Sequence, residues 1–140
     1  MTPEHKQNLL RLAEYLEGEL KAKFDMEYYS ELSTRSYMSY SACELGPGVT
    51  ACGSVGCAVG HGPYAGIPKE KDEYWTNYAH RVFGKFWGYA FHGSWSEIPE
   101  QNTPRATAAR IRLVAELGRE PDQEQFWNAG MVNYMSHKSC

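Results

Sequence analysis

The stretch that decides the fold is Thr103-Pro-Arg-Ala-Thr-Ala-Ala-Arg-Ile-Arg-Leu-Val-Ala-Glu-Leu-Gly118. Thr103 brings the hydroxyl of a helix N-cap, and the proline after it stands at the first helical position, where its missing N–H costs no hydrogen bond. Gly118 is typical of the residue that ends a helix. Between them, apolar side chains recur at helical spacing and form one inward stripe: Ala108, Ile111, Val114 and Ala115, widened by Leu113 and Leu117. The stretch predicts an amphipathic helix that buries this face.

A second amphipathic helix is expected at the start of the chain, over residues 3–23. Thr2 and Pro3 repeat the cap-and-proline signal, and Glu4 adds an acid near the positive end of the helix dipole. Apolar side chains again recur on one face: Leu9, Leu12, Ala13, Leu16 and Leu20. Two such helices favour a core made of helix packed on helix.

Shorter elements complete the prediction. A helix is expected over 69–83, with Gly84 at its end and a buried stripe formed by Trp75, Tyr78, Ala79 and Val82. A short helix is expected in the aromatic cluster 86–91, packed against the first helix. One further turn is expected over 123–129, where Phe126 and Trp127 can dock, and residues 131–140 are expected to fray.

The segment from 24 to 50 is predicted as a long ordered loop, because tyrosines and serines alternate irregularly there and Gly46-Pro47-Gly48 forces a turn. One short strand has room over 35–42. The predicted fold class is therefore mainly α: a compact single-domain bundle of about four to five helices over residues 1–140, with a long ordered loop and at most one short strand.

Composition limits the possible functions. The chain has 140 residues, the usual size of one domain, and 42% of them are apolar, which suffices for a core. A net charge of −3 argues against general electrostatic binding to nucleic acid. No apolar run approaches the ~18 residues that span a bilayer. The first residues do not look like a secretory signal, so we expect a cytoplasmic protein without membrane contact.

The four cysteines, Cys43, Cys52, Cys57 and Cys140, are then expected in a reducing compartment, where structural disulfides are rare. Two of them fall in Ala51-Cys-Gly-Ser-Val-Gly-Cys-Ala-Val-Gly-His-Gly62, the candidate functional segment. We predict a short helix over 52–61 with small side chains. Each glycine costs up to ~1 kcal/mol in a helix, which makes sense where another group must approach the backbone closely.

Three chemistries are open for this segment, beside simple close packing, which we favour. Cys57 and His61 are four residues apart on one helical face and could bind zinc with Cys52 or Cys43, although the spacing matches no standard zinc signature. Cys52 at the positive end of a helix favours a reactive thiolate. Its base would come from His61, His80 or His92, oriented by Asn77 or Asn102. Finally, the N–H groups of Gly53, Ser54 and Gly56 at a helix start could bind an anion.

Two stretches resemble motifs that occur together in small uncharacterised proteins of bacteriophages and bacteria. Residues 52–60 resemble Cys-Gly-Thr-x-x-Cys-x-x-Gly, with Ser54 in place of threonine. Residues 102–111 resemble Asn-Thr-Pro-x-x-Ala-Ala-x-Arg-Ile, with Thr107 as the departure. The resemblance spans about residues 9–120. That family has no established activity, so the resemblance implies a phage or prophage context and supplies no catalytic residue. Small phage accessory proteins often bind a host protein or sequester a host metabolite.

The leading hypothesis is a non-enzymatic accessory protein of phage type that binds a host macromolecule or sequesters a small anionic ligand, with no cofactor. Its expected ligand-binding residues are Cys52, Gly53, Ser54, Gly56, His61, Trp87 and Trp95. The alternatives are a cysteine-dependent enzyme that uses Cys52 with His61, and a small zinc-binding domain that uses Cys52, Cys57 and His61.

Overall fold

Four helices carry the architecture in the computed structural model of the chain, which describes residues 1–20, 23–24, 55–56, 58–88, 90, 95 and 97–138. In chain order they are α1 (Pro3–Glu17), α2 (Trp75–Phe83), α3 (Pro104–Leu117) and α4 (Gln123–Lys138). A 3-10 turn lies at Pro63–Ala65, and two short parallel strands, β1 (Lys23–Phe24) and β2 (Val55–Gly56), pair with each other. The predicted mainly α fold class is confirmed.

Helix α3 packs against both α1 and α4. Most of the predicted stripes are buried: Leu9, Leu12, Ala13 and Leu16 on α1, and Ala108, Ile111, Val114 and Ala115 on α3. The residues at their margins are not, since Leu20 and Leu113 are half-buried and Leu117 is exposed. Each fully buried leucine contributes about 1.5–3 kcal/mol. An ion pair between Arg112 Nη2 and Glu17 Oε1, 2.6 Å apart, joins the two helices at their edge.

Both predicted N-caps are present. The hydroxyl of Thr2 accepts a hydrogen bond from the backbone N–H of His5, and that of Thr103 accepts one from Ala106, each at 3.1 Å. Gly118 ends α3 in the left-handed region, at φ +65°. These local signals place both ends of α3 where the sequence predicted them.

Two helix boundaries differ from the prediction. Helix α1 ends at Glu17 and not at residue 23, because the N–H of Gly18 turns back to the carbonyl of Tyr15 and closes the helix. Helix α2 begins at Trp75 and not at residue 69. The carboxylate of Glu73 explains the late start, since it binds Arg81 through two bonds of 2.7 Å and also accepts from the N–H of Glu70.

The last helix is longer than the single turn predicted over 123–129. It runs to Lys138 and so includes most of residues 131–140, of which 139–140 lie outside the described part. A reciprocal cap starts it: Asp122 Oδ1 accepts from the N–H of Gln125 at 2.8 Å, and Gln125 Oε1 accepts from the N–H of Asp122 at 3.0 Å. Phe126, on its first turn, is fully buried.

Two predicted short helices are wrong in the residues that the structure describes. Within 52–61, Val55–Gly56 form β2, in register with Lys23–Phe24, and residues 58–62 form successive turns. Glycines and a β-branched valine are poor helix formers, and tertiary packing decides such a segment. Within 86–91, residues 86, 88 and 90 lie in turns, because Gly84 has φ +83° and directs the chain away from the helical path.

The predicted strand over 35–42 and the loop around it lie outside the described residues. None of the helices described above is long and apolar enough to cross a membrane.

Candidate functional site

Two side chains of α1 bind the C-terminal end of α2. His5 Nε2 donates to the backbone carbonyl of Arg81 at 3.1 Å, and Asn8 Nδ2 donates to that of Val82 at 2.9 Å. The last four carbonyls of a helix have no partner within the helix, so these two bonds satisfy groups that would otherwise need water. Polar capping by side chains therefore fixes how α1 meets α2.

Gly84 makes this close approach possible. Its φ of +83° lies in the region that favours glycine, and a Cβ at this position would lie 2.8 Å from His5 Nδ1. A larger residue would strain the backbone and push His5 away from the end of α2. The glycine thus serves the junction as well as the turn.

A cavity of about 300 Å³ lies at this junction, and we call it the α1–α2 cleft. Its apolar walls come from Phe83, Phe86 and Met1, and its polar lining from His5, His80 and Lys85, with Thr2 and Gly84 between them. No acidic side chain is among these lining residues. Ligand sites range from about 300 to 1,000 Å³, so the cleft fits a small metabolite.

His80 is held in one tautomer. The indole N–H of Trp87 donates to His80 Nδ1 at 3.1 Å, and the two rings meet edge to face with centroids 6.2 Å apart. An acceptor at Nδ1 means that the neutral ring carries its hydrogen on Nε2, which is then a donor. Trp87, one of the expected ligand-binding residues, therefore contacts a lining residue of the cleft and orients it without being part of the lining itself.

Lys85 supplies the cleft with a full positive charge. Its side chain is exposed, and Nζ lies 5.1 Å from the centroid of the Phe86 ring. A cation over a ring face is attracted weakly at an exposed site, so this contact limits the positions of Nζ without consuming its hydrogen-bonding capacity.

The structure does not bring three of the other predicted ligand-binding residues, His61, Gly56 and Trp95, to the cleft. His61 is 1% exposed and packs between the rings of Tyr15 and Tyr64, at centroid distances of 5.8 and 6.0 Å. Gly56 lies in β2 instead of at a helix start, and Trp95 is 3% exposed in the core. The remaining predicted residues, Cys43, Cys52, Gly53, Ser54, Cys57 and His92, lie outside the described part of the chain, together with Cys140. Among the residues that are described, no group of three or more His, Cys, Asp or Glu could hold a metal ion.

The structure also contains a buried arginine, Arg110, which the sequence did not lead us to expect. Arg110 is fully buried, and its guanidinium donates to Gln101 Oε1 at 2.7 Å and to Thr107 Oγ1 at 2.9 Å. It also lies over the ring of Trp95, 4.4 Å from the centroid. Burial lowers the pKa of Arg110 to about 9, which leaves the group charged at neutral pH.

This cluster of Arg110, Gln101, Thr107 and Trp95 joins α3 to α4, because Gln101 Nε2 in turn donates to the carbonyl of Trp127 at 2.9 Å. Among the described residues no carboxylate contacts the guanidinium, and the groups seen to compensate its burial are neutral oxygens and an aromatic face. Helical spacing does indicate that position 110 is buried, because it lies four residues before the buried Val114 and so on the same face of α3.

Compared with protein-family models, curated proteins and solved structures, the chain matches none. The function therefore has to be inferred from the geometry of the α1–α2 cleft itself.

Proposed function

We propose that this protein is a non-enzymatic accessory protein of phage or prophage type, acting in the cytoplasm, which sequesters a small anionic ligand in the α1–α2 cleft. The observation that carries the proposal is a small apolar cavity with Lys85 and His80 in its lining and no acid among the lining residues. The motif resemblance supports the phage context, and the cavity supports the ligand.

Charge favours an anion in this cleft. The chain as a whole carries a net charge of −3, so any attraction for an anion must be local. Lys85 provides that local charge, and His80 adds an N–H donor within the same lining. Because Lys85 is exposed, water and salt screen its charge, and the apolar walls contribute by burying the apolar atoms of the ligand.

Binding is favoured over catalysis by the composition of the lining. Thr2 brings the one side-chain hydroxyl among the described lining residues, and that oxygen already accepts the hydrogen bond that caps α1. One nitrogen of His5 donates to a backbone carbonyl and the other packs against Gly84. No nucleophile with an adjacent base is assembled there, which is what covalent catalysis requires.

The cleft is concave and has a volume of about 300 Å³, which is typical of a site for a metabolite, and this supports the metabolite over the host macromolecule that the sequence also allows. The alternatives based on Cys52 stay predictions. Labelling by iodoacetamide as a function of pH tests a reactive thiol, and elemental analysis of the purified protein tests bound zinc.

The proposal is tested by equilibrium dialysis of the purified protein against a small-molecule extract of bacteria, followed by mass spectrometry of what is retained. We expect the wild type to retain one or a few anions that the Lys85→Met variant loses. Methionine keeps an unbranched apolar side chain and removes the charge. Lys69→Met is the matched control, because Lys69 also lies 5.1 Å from an aromatic ring, that of Trp75, but does not line the cleft. Equal retention by all three proteins would reject the proposal.

A further inference from the structure

We infer that the α1–α2 cleft responds to acid through the hydrogen bond between the indole of Trp87 and the ring of His80, which neutral His80 accepts and protonated His80 cannot. The bond itself is a feature of the fold. Its consequence rests on the proposed function, because the bond would regulate the shape of the proposed ligand site. Acid should loosen one side of the cleft and leave the rest of the fold in place.

The chemistry of the two rings makes this bond conditional on charge. The indole N–H of Trp87 can only donate, and it donates to His80 Nδ1 at 3.1 Å. A neutral imidazole accepts at the nitrogen that carries no hydrogen, whereas an imidazolium carries a hydrogen on both nitrogens. Protonation of His80 therefore brings two N–H groups against each other, and the bond is lost. Histidine is the side chain whose ordinary charge change falls between about pH 5 and 8.

The bond closes a short loop of the chain that forms one side of the cleft. Between the two bonded residues the chain leaves the end of α2 and turns at Gly84. Four residues of this loop line the cleft: Phe83, Gly84, Lys85 and Phe86. His80 lines it as well. A change in the contact between Trp87 and His80 therefore affects the part of the lining that holds Lys85, the charge of the proposed anion site.

Burial limits the extent of this change. His80 is exposed, so water can solvate its charged ring. Trp87 is half-buried and packs against the hydrophobic core, as Phe86 does, and this packing does not depend on the charge of His80. Loss of the hydrogen bond should therefore release the edge of the indole and loosen residues 85–87 without unfolding α2.

The charged groups that share the cleft with His80 do not hold its protonated ring in place. Lys85 comes from the same loop, and His5 and the α-amino group of Met1 come from the part of the chain that packs against α2. These groups are positive or become positive in acid, and no carboxylate is among the described lining residues. Repulsion therefore adds to the loss of the hydrogen bond.

His5 is the other histidine of the lining, and its bond to α2 survives acid. His5 Nε2 donates to the backbone carbonyl of Arg81 at 3.1 Å, and a nitrogen that carries a hydrogen in the neutral ring still carries it in the charged one. On α2 itself, the charge of Arg81 is paired with Glu73 through two bonds of 2.7 Å. Acid therefore acts on the bond of His80 and leaves the contact between α1 and α2 intact.

The inference is tested by NMR of isotope-labelled protein between about pH 8 and pH 5. Each tryptophan gives one indole N–H signal, and the signal that Trp87→Phe lacks is that of Trp87. At the alkaline end, the ring of His80 should carry its hydrogen on Nε2 in the wild type and on either nitrogen in Trp87→Phe. On acidification, the ring signals of His80 and the indole signal of Trp87 should change over the same pH range. Protection of this N–H against solvent exchange, relative to free indole, should fall about three- to tenfold, which corresponds to one neutral hydrogen bond.

His80→Asn is the matched variant, because asparagine places an amide oxygen near the position of Nδ1 and does not titrate. Its Trp87 signal should stay protected over the whole range. The backbone amide signals of Lys85 and Phe86 should shift with pH in the wild type and much less in this variant. The indole signals of Trp75 and Trp95, which are buried in the core, should stay unchanged in both proteins.

The inference is wrong if the signals of Trp87, Lys85 and Phe86 do not follow the titration of His80, or if His80→Asn is as sensitive to acid as the wild type. It is also wrong if all four indole signals change together, because that result would mean general unfolding in acid. The proposed function fails or stands separately. Dialysis at neutral pH tests anion binding that depends on Lys85, and its outcome does not depend on how the Trp87–His80 bond responds to acid.

Discussion

An alanine at position 130 would place a methyl group where Gln101 holds the buried Arg110. The new Cβ would overlap Gln101 Oε1, lie 2.8 Å from its Cδ and lie 3.1 Å from Arg110 Nη1. Gln101 would have to give up its bonds to the guanidinium and to the carbonyl of Trp127. A buried hydrogen bond to a charged group is worth about 1.5–3 kcal/mol, and the helix gains up to ~1 kcal/mol from replacing glycine. We therefore expect Gly130→Ala to lower the free energy of unfolding by about 2 kcal/mol.

Urea unfolding followed by circular dichroism measures this loss as a lower midpoint with an unchanged slope. Gly88→Ala is the control, because a Cβ there meets nothing within 4 Å, and its effect should stay within about 0.5 kcal/mol. In a Gln101→Ala background the overlap with Gln101 is absent and only the 3.1 Å contact with Arg110 remains, so adding Gly130→Ala should cost much less than it does in the wild type. The reasoning is refuted if Gly130→Ala leaves the wild type as stable as before, or costs the same in both backgrounds.

Three further substitutions test other parts of the fold. Gly62→Ala should destabilise by about 1–3 kcal/mol in thermal melts, because its Cβ would overlap Tyr78 Oη and lie 3.0 Å from two ring carbons, and adding Tyr78→Phe should recover part of the loss. Hydrogen bonding to Arg112 lowers the pKa of Glu17 below its ordinary value of 4.5. Ionised Glu17 therefore stabilises the folded state at pH values above 4.5, and this stabilisation is lost as the pH falls through the lowered pKa. Glu17→Gln should accordingly be less stable than wild type by up to ~1 kcal/mol at neutral pH, with the gap closing in acid, whereas a gap that persists in acid would contradict the ion pair. Asn8→Ala should cost about 0.5–1.5 kcal/mol and speed hydrogen exchange in the last turn of α2, and unchanged exchange there would show that the side chain does not hold that helix end.

The parts of the fold that the sequence predicts well are those that local signals determine. Thr103 and Gly118 bound α3 as predicted because a cap hydroxyl and a left-handed glycine act through their nearest neighbours. The start of α2 could not be predicted in this way. Glu73 would suit the first turn of a helix, but it binds Arg81 eight residues later, and that competition is tertiary. The reciprocal cap of Asp122 and Gln125 is a local signal that marks where α4 begins, but a cap at the start does not determine where the helix ends.

Sequence motifs do not predict the α1–α2 cleft, and the reason is physical. Its key bonds run from side chains near the start of the chain to backbone carbonyls more than 70 residues later. The acceptors are backbone carbonyls, which every residue type has. Almost any residue at positions 81 and 82 would therefore offer the same oxygens, and no sequence pattern marks them. The donors His5 and Asn8 occur singly, and a single histidine or asparagine at the edge of a helix predicts nothing about its partner.

The position of the cleft ties ligand binding to the end of α2. His5 belongs both to the lining and to the bonds that cap α2, and His80 belongs both to the lining and to α2 itself. A ligand that packs against these two rings therefore binds only when α1 and α2 are in contact at the junction. Its binding shifts the equilibrium towards that state. At a ligand concentration one hundred times Kd this linkage is worth about 2.7 kcal/mol. That amount exceeds the expected contribution of either capping bond alone. A bound ligand should thus stabilise the junction more than either of the hydrogen bonds that build it.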